Sequence, residues 1–186
     1  FQQVLDKPFR TASAGAASKS LRSAIEAVLE RQDINDFQKS AKIKRLWNDL
    51  ILPENLTTEV NEAYKWIQKE SRHAGPQEHD EPFVAIRSSS REEDAESAAR
   101  AGEFETFLFI RGQVQLLEYL KRTWASLWTE RAIHNRKILG SGSAQTGGGV
   151  LIQKIVWARV AGVMQTVNVA RGELREMVIN AGLGMG

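Results

Sequence analysis

The chain has 186 residues, with 25 Lys and Arg against 23 Asp and Glu, which gives a net charge of +2 at pH 7. This balance provides no field of the strength that attracts nucleic acid or an anionic membrane, so neither partner is expected. Cysteine is absent, which excludes a disulfide scaffold and cysteine-ligated zinc. No window approaches the length of an apolar membrane span, and the first residues lack a signal-peptide pattern, so a soluble cytoplasmic protein is expected.

The first third of the chain predicts three helices. Apolar side chains recur at helical spacing over residues 18–32 and again over 37–51. Pro53 is expected to end the second helix, and Thr57 or Thr58 to cap a third. We interpret the aromatic residues of these helices as core residues.

A solvated loop at residues 73–81 is predicted to separate the helices from two strands. Residues 83–87 are predicted to form a buried strand, and residues 104–110 alternate between two faces as a second strand does. Residues 113–139 carry apolar side chains at near-helical steps without Gly or Pro, which predicts one long helix.

The glycine-rich residues 140–149 are interpreted as a flexible connector. A phosphate-binding loop is the alternative, but this segment lacks the Lys-Ser/Thr ending and precedes a strand. Three further strands are predicted at 150–157, 160–169 and 174–181, with a hairpin turn at 170–173.

The most informative chemistry follows the first predicted strand, in the run Arg87-Ser88-Ser89-Ser90. Arginine offers a planar fork of donors to an oxyanion, and small hydroxyl residues let backbone N–H groups approach the same anion. This pattern favours phosphate binding. The alternative is a polar loop in which Arg87 forms an ion pair with Glu92, Glu93 or Asp94.

The histidines indicate neither a metal site nor a nucleophile. His73, His79 and His134 have no partner at metal-ligand spacing, so a zinc site and a Ser/His/Asp triad are rejected.

Several blocks from residue 87 onward occur in a distinctive order. They are Arg87-Ser88-Ser89, Glu93-Asp94, Ala101-Gly102-Glu103, Glu105-Thr106-Phe107-Leu108, the tryptophan-containing segments 121–128 and 131–133, residues 150–154, Gly162-Val163-Met164, Thr166, and Gly182-Leu183-Gly184. This order resembles the nucleotide-binding domain of the phosphoenolpyruvate synthase and pyruvate phosphate dikinase family. The resemblance is good over residues 82–186 and loose over residues 1–75.

The resemblance implies an α+β fold of ATP-grasp type. A helix-rich first lobe at residues 1–139 would face a partial, mostly antiparallel second lobe at residues 150–186, with 140–149 as the connector. The chain is expected to be a fragment, truncated at both ends. The implied function is to bind Mg-ATP and pass phosphate to a histidine on a phosphohistidine domain of the same polypeptide. Pyruvate is the favoured acceptor, and the wider family also includes rifamycin-type antibiotics and α-glucans as acceptors.

The resemblance also implies a set of site residues. Arg87 would be catalytic, at the phosphates, with Ser88 and Ser89 beside it. The backbone at Gln153, Lys154 and Ile155 would hydrogen-bond the adenine, and Gly162 would complete the nucleotide site. Arg131 and Arg136 could add phosphate contacts or serve solubility, and Glu93 and Asp94 could face Mg²⁺ or form an exposed acidic surface.

One departure from the family pattern concerns the metal. The turn Gly182-Leu183-Gly184 is followed by Met185, where the family has Glu, and a thioether is a poor ligand for Mg²⁺. The metal ligands are therefore left unassigned. The alternative function is a noncatalytic nucleotide-sensing or interaction module derived from the same domain.

Overall fold

The computed structural model describes residues 2–6, 20–72, 81–90, 105–139, 148–168 and 170–184. The described helices are α1 (Gln2–Asp6), α2 (Leu21–Leu29), α3 (Asp36–Asp49), α4 (Glu54–Arg72), α5 (Gln113–Ala125) and α6 (Glu130–Leu139). The described strands are β1 (Val84–Ser90), β2 (Thr106–Ile110), β3 (Gly148–Lys154), β4 (Val160–Gln165) and β5 (Val178–Leu183). All strand pairs are antiparallel, which confirms the predicted α+β class. Over the described residues, no helix is long and apolar enough to cross a membrane.

The chain divides into a first unit, residues 1–154, and a second unit, residues 155–186. The first unit contains the helices and a three-stranded sheet of order β2-β1-β3. The second unit contains the two-stranded ribbon of β4 and β5. Strand β3 was predicted as part of the second lobe, but it pairs with β1 over all seven of its residues and so groups with the first unit. The division into two ATP-grasp lobes stays a prediction.

The helices begin at local signals in the sequence. The Ser20 side chain caps α2 by accepting a hydrogen bond from Ser23 N at 3.2 Å, and Asn35 and Gln38 form a capping box at α3. The predicted cap of the third helix at Thr57 or Thr58 is wrong. Helix α4 begins directly after Pro53, and the Thr57 hydroxyl donates back to the Pro53 carbonyl at 3.1 Å, within the first turn.

The single helix predicted over 113–139 is also wrong, because a 3₁₀ turn at 126–128 separates α5 from α6. Thr129 has an extended backbone at the end of this turn, and its hydroxyl accepts from Ala132 N at 3.2 Å. The Ser126 hydroxyl donates to the Thr123 carbonyl at 2.7 Å. Hydroxyl side chains that bond to nearby backbone compete with the helical ladder, so the break needs neither Gly nor Pro.

Two hydrophobic clusters hold the first unit together. The larger contains Trp47, which is fully buried, with its ring 5.6 Å from that of Trp124 and 5.7 Å from that of Trp128. The smaller lies between the sheet and helices α4 and α5 and consists of Tyr64, Val84, Ile86, Ile110 and Leu116. The interpretation of aromatic residues as core is confirmed for Trp47 and Tyr64. It is wrong for Phe37 and Trp66, which are exposed.

Helix α3 is held at both ends by lysines from α5 and α6. The Lys121 ammonium donates to the carbonyls of Asn48 and Leu50 at 2.6 and 3.2 Å. At the other end Lys137 donates a hydrogen bond to the Asp36 carboxylate, and His134 Nδ1 lies 3.6 Å from Asp36 Oδ2. The hydrogen bond from Lys137 lowers the pKa of Asp36 below its ordinary value of 3.8.

Candidate functional site

Arg87 lies in the middle of the central strand of the first sheet. It pairs with Thr106 in β2 and with Leu151 in β3, and its side chain is exposed. The predicted strand that delivers this arginine is therefore present, and it continues through Ser90.

Strand geometry assigns the predicted site residues to two opposite faces, since successive side chains of a strand alternate. Val84 and Ile86 are fully buried against the helices, which defines the packed face of the sheet. Its other members, by register, are Ser88 in β1, Phe107 and Ile110 in β2, and Gly148, Val150, Ile152 and Lys154 in β3. The open face carries Ala85, Arg87, Ser89, Thr106, Gly149, Leu151 and Gln153.

The predicted residues are divided by this alternation. Ser89 and Gln153 are exposed on the open face with Arg87, whereas Ser88 and Lys154 are half-buried on the packed face. The side chains of Arg87, Ser89 and Gln153 can therefore reach one ligand. The side chains of Ser88 and Lys154 lie on the other face of the sheet.

The open face combines a cation, hydroxyls and an amide around an apolar residue. Over the residues that the structure describes, the Arg87 side chain makes no hydrogen bond or ion pair, so its guanidinium donors are available to an anion. The carboxylates weighed as its alternative partners, Glu92, Glu93 and Asp94, lie outside the described residues. Gln153 is the diagonal neighbour of Arg87, at about 7 to 8 Å between Cα atoms. Leu151 pairs directly with Arg87, lies two residues before Gln153 in β3 and is 53% exposed.

An irregularity in β2 borders this face and was not predicted. The register shifts between Val84 and Ile86, and Phe109 has a φ of +60°. The bulge keeps Phe107 and Ile110 directed into the core and leaves Leu108 and Phe109 half exposed. Bulges commonly redirect a side chain in this way. A period-two reading of the sequence contains no signal for the extra residue.

The side chain of Phe109 belongs to a small cluster of aromatic and cationic side chains beyond the bulge. Its ring packs edge-on against Phe83, with centroids 6.3 Å apart. The Arg111 guanidinium lies over the Phe83 ring, 5.1 Å from its centroid. The cluster anchors the edge strand at the start of β1.

Tyr64 fixes the ends of the elements that carry the site. Its buried hydroxyl donates to the Pro82 carbonyl at 2.9 Å and accepts from Gly112 N at 3.0 Å. Gly112 has a φ of +80° between β2 and α5, a conformation that favours glycine. Burial raises the pKa of the Tyr64 phenol. This junction was missed because its partners lie 18 and 48 residues from Tyr64.

The two remaining predicted site residues belong to the second unit. Ile155 is buried directly after β3. Gly162 pairs with Ala181 in the ribbon, and a Cβ at Gly162 would lie 2.4 Å from the Asn180 carbonyl oxygen. The ribbon therefore requires glycine there for its own packing, whatever else this residue does.

Helix α6 carries the two additional arginines in different environments. Arg131 is exposed, whereas Arg136 is buried. The predictions that concern Glu93, Asp94 and Met185 lie outside the described residues. Over the part of the chain that is described, no group of three or more His, Asp or Glu side chains is arranged to hold a metal ion.

The sequence matches the family described as pyruvate phosphate dikinase, AMP/ATP-binding domain, over residues 10–186. It is 33% identical over 179 residues to a probable phosphoenolpyruvate synthase of Pyrococcus horikoshii, covering 94% of this chain and 21% of that protein. It is 36% identical over 170 residues to a probable phosphoenolpyruvate synthase of Methanothermobacter thermautotrophicus, covering 89% of this chain and 24% of that protein.

A relative with a different name is rifampicin phosphotransferase of a Streptomyces species, 30% identical over 147 residues, or 79% of this chain and 16% of that protein. The chain thus spans about a fifth of the length of these relatives. The family match covers nearly every residue, including the sheet that carries Arg87. The chain belongs to the pyruvate phosphate dikinase AMP/ATP-binding domain family.

Proposed function

We propose that this chain binds ATP, with the phosphates at Arg87 and the base at the segment Gln153–Ile155. The observation that carries the proposal is the position of Arg87, exposed at the centre of the open face within a family of AMP/ATP-binding domains. A guanidinium can donate two parallel hydrogen bonds to phosphate oxygens.

The residues around Arg87 make different contacts with ATP in this proposal. The hydroxyls of Ser89 and Thr106 donate to phosphate oxygens beside Arg87, and Leu151 offers an apolar contact to the nucleoside. Ser88, Lys154 and Ile155 act through backbone groups, and Gly162 is included as a nucleotide-binding residue on the family resemblance alone. These assignments rest on the register of the strands and on the family.

The whole protein is proposed to be a phosphotransferase of the phosphoenolpyruvate synthase and pyruvate phosphate dikinase type. It would pass phosphate from ATP to a histidine on another domain of the same polypeptide, and then to pyruvate. The names and lengths of the relatives support this proposal. Mg²⁺ is expected to bind together with ATP.

Calorimetry of ATP binding to the full-length protein tests the site. Loss of a hydrogen bond to a charged group costs about 1.5 to 3 kcal/mol, so Arg87→Ala should weaken binding about tenfold or more. Arg87→Lys keeps the charge and should recover part of the loss. Arg45→Ala, an exposed arginine on α3, should bind as wild type does. Unchanged affinity in Arg87→Ala would contradict the assignment.

The alternative function is a noncatalytic nucleotide-binding module, which the residue Met185 favours. Incubation of the full-length protein with radiolabelled ATP separates the two functions. Label on a histidine outside these 186 residues supports phosphotransfer. ATP binding without any labelled histidine supports the noncatalytic module, and stable label on His73, His79 or His134 contradicts the proposed relay.

A further inference from the structure

The bulge in β2 places two side chains on the open face where a regular strand would place one. The register shifts between Val84 and Ile86, where β2 contains one extra residue. Leu108 and Phe109 therefore both lie opposite Ala85. Their exposed fractions are 47% and 45%. The open face thus has an apolar and aromatic edge beside Ala85.

Phe109 adopts a strained backbone conformation at this edge. Its φ of +60° lies in the left-handed region, and over the described residues it is the one non-glycine residue with a positive φ. This conformation is unfavourable for an L-residue and persists where the surrounding structure imposes it, often at a ligand site. A strand with one residue fewer would pair with β1 without the strain and without the exposed ring. The strain therefore points to a use for the ring beyond strand pairing.

The Phe109 ring is oriented by its neighbours. It packs edge-on against the Phe83 ring at an interplanar angle of 80°, and the Arg111 guanidinium lies over that second ring. A side chain that is already fixed loses little conformational freedom when a ligand binds to it. The ring is therefore preorganised to contact a ligand on the open face.

A row of side chains across the sheet connects this edge to the segment proposed for the base. Ala85 pairs with Gln153 in β3, so Phe109, Ala85 and Gln153 lie in one row. Phe109 and Gln153 are two strand spacings apart, or about 10 Å. Ala85 carries a single methyl group, so no long side chain of β1 stands between them. Arg87 lies two residues further along β1, about 7 Å from this row.

We propose that the Phe109 ring contacts the base of ATP and makes the site selective for purine over pyrimidine nucleotides. The inference rests on the nucleotide site proposed above. With the six-membered ring of the purine at the backbone of Gln153–Ile155 and the phosphates at Arg87, the five-membered ring extends over Ala85 to Phe109. A pyrimidine held at the same segment has one ring and does not reach Phe109. Contacts between a base and an aromatic side chain are favourable both stacked and edge-on.

Calorimetry of ATP and CTP binding to the full-length protein tests this selectivity. Phe109→Asn removes the ring, and asparagine tolerates the positive φ better than most residues, so the bulge should persist. We expect the Kd for ATP to rise about tenfold and the Kd for CTP to change by less than about twofold. Phe109→Tyr retains the ring and should bind both nucleotides within about twofold of wild type.

Two further variants separate this inference from the proposed nucleotide site. Trp66→Asn removes an exposed aromatic residue from α4, which packs on the opposite face of the sheet, and should change neither affinity. Arg87→Ala should weaken ATP and CTP alike, because both carry the same phosphates. Equal losses for ATP and CTP in Phe109→Asn, or an unchanged ATP affinity there beside a weakened Arg87→Ala, would overturn this inference alone. Failure of the wild-type protein to bind ATP would overturn the proposed function with it.

Photolabelling of the unmodified full-length protein tests the same contact without any variant. The azide of 8-azido-ATP is on the five-membered ring, so its label is expected in β2 at Phe109. The azide of 2-azido-ATP is on the six-membered ring, so its label is expected in the segment Gln153–Ile155. Peptide mass spectrometry locates both labels, and excess ATP should suppress them. Exchange of the two labelled segments, or absence of label from β2, would overturn the inference.

Discussion

The two units of the chain contain strands of similar length and composition but differ in what covers them. In the first unit β1 is covered on its packed face by two helices, and Val84 and Ile86 have no exposed surface. In the second unit, over residues 155–168 and 170–184, Ile155 is the single buried residue. Strand formation thus follows from local pattern in both units, whereas the first unit also contains its own helical layer, which covers one face of its sheet.

The largest expected effect is at the aromatic centre of the first unit. Trp47→Ala removes a fully buried ring that packs between two other tryptophans, and such changes cost about 3 to 5 kcal/mol. Urea unfolding of the chain, followed by the helical circular dichroism signal, measures the change. Trp66→Ala, at an exposed position on α4, should alter the free energy of unfolding by less than about 0.5 kcal/mol. Equal effects at the two sites would show that the described core is wrong.

The helices that could be predicted from the sequence are those whose apolar residues recur without interruption, as Leu21 and Ile25 do in α2. The break before Thr129 could not be predicted, because its cause is a competition between hydroxyl and backbone hydrogen bonds that leaves the apolar spacing intact. Likewise, the local pattern of β3 predicts a strand but not its partner. Pairing with β1 is decided by contacts about 65 residues away in sequence.

The role of Arg87 was predicted from the residues and that of Gln153 from the resemblance alone, and both roles stay predictions. The structure places both side chains on the open face. The separation of Ser88 from Ser89 follows from strand alternation alone, once the strand is known to continue through Ser90. The bulge at Phe109 and the Tyr64 junction depend on tertiary packing, for which a single sequence carries no pattern.

A second prediction compares glycines in the two units. A Cβ at Gly148 would lie 2.5 Å from Leu127 Cδ1, whereas a Cβ at Gly182 would meet nothing within 4 Å. Because Leu127 is itself buried, Gly148→Ala should destabilise the first unit by about 1 to 3 kcal/mol through overpacking. Gly182→Ala should be close to neutral. Thermal unfolding of both variants measures the difference, and a neutral Gly148→Ala would mean that β3 can move away from the 3₁₀ turn.

The bulge at the edge of the first sheet predicts which of two substitutions at Phe109 is the more stable. In a regular strand glycine is less stable than alanine by about 0.5 to 1 kcal/mol, but Phe109 has a positive φ, which costs an L-residue about 1 to 2 kcal/mol. Phe109→Gly should therefore be more stable than Phe109→Ala, although both lose the contact with Phe83. Urea midpoints of the two variants decide the order. A Phe109→Ala variant more stable than Phe109→Gly would show that β2 pairs with β1 without the bulge.

The smallest expected effect is at the start of α3, where Asp36 meets Lys137 and His134 of α6. The pKa of Asp36 is lowered in the folded chain, chiefly by the hydrogen bond from Lys137. The stability that the ionised Asp36 carboxylate contributes is therefore fully present above the unfolded pKa near 3.8. This stability is lost as the pH falls through the lower pKa of the folded chain. Asp36→Asn should cost roughly 0.5 kcal/mol at pH 7, since exposed pairs and helix N-terminal charges contribute about that much. The cost should vanish once the pH lies below the folded pKa, because the wild-type carboxyl is then also neutral.

Asp49→Asn removes a carboxylate from the opposite end of the same helix, where the dipole disfavours it, and should be neutral or slightly stabilising. Urea unfolding across this acidic range compares the variants, and a cost at Asp36 that does not change with pH would show that the ion pair is not its source.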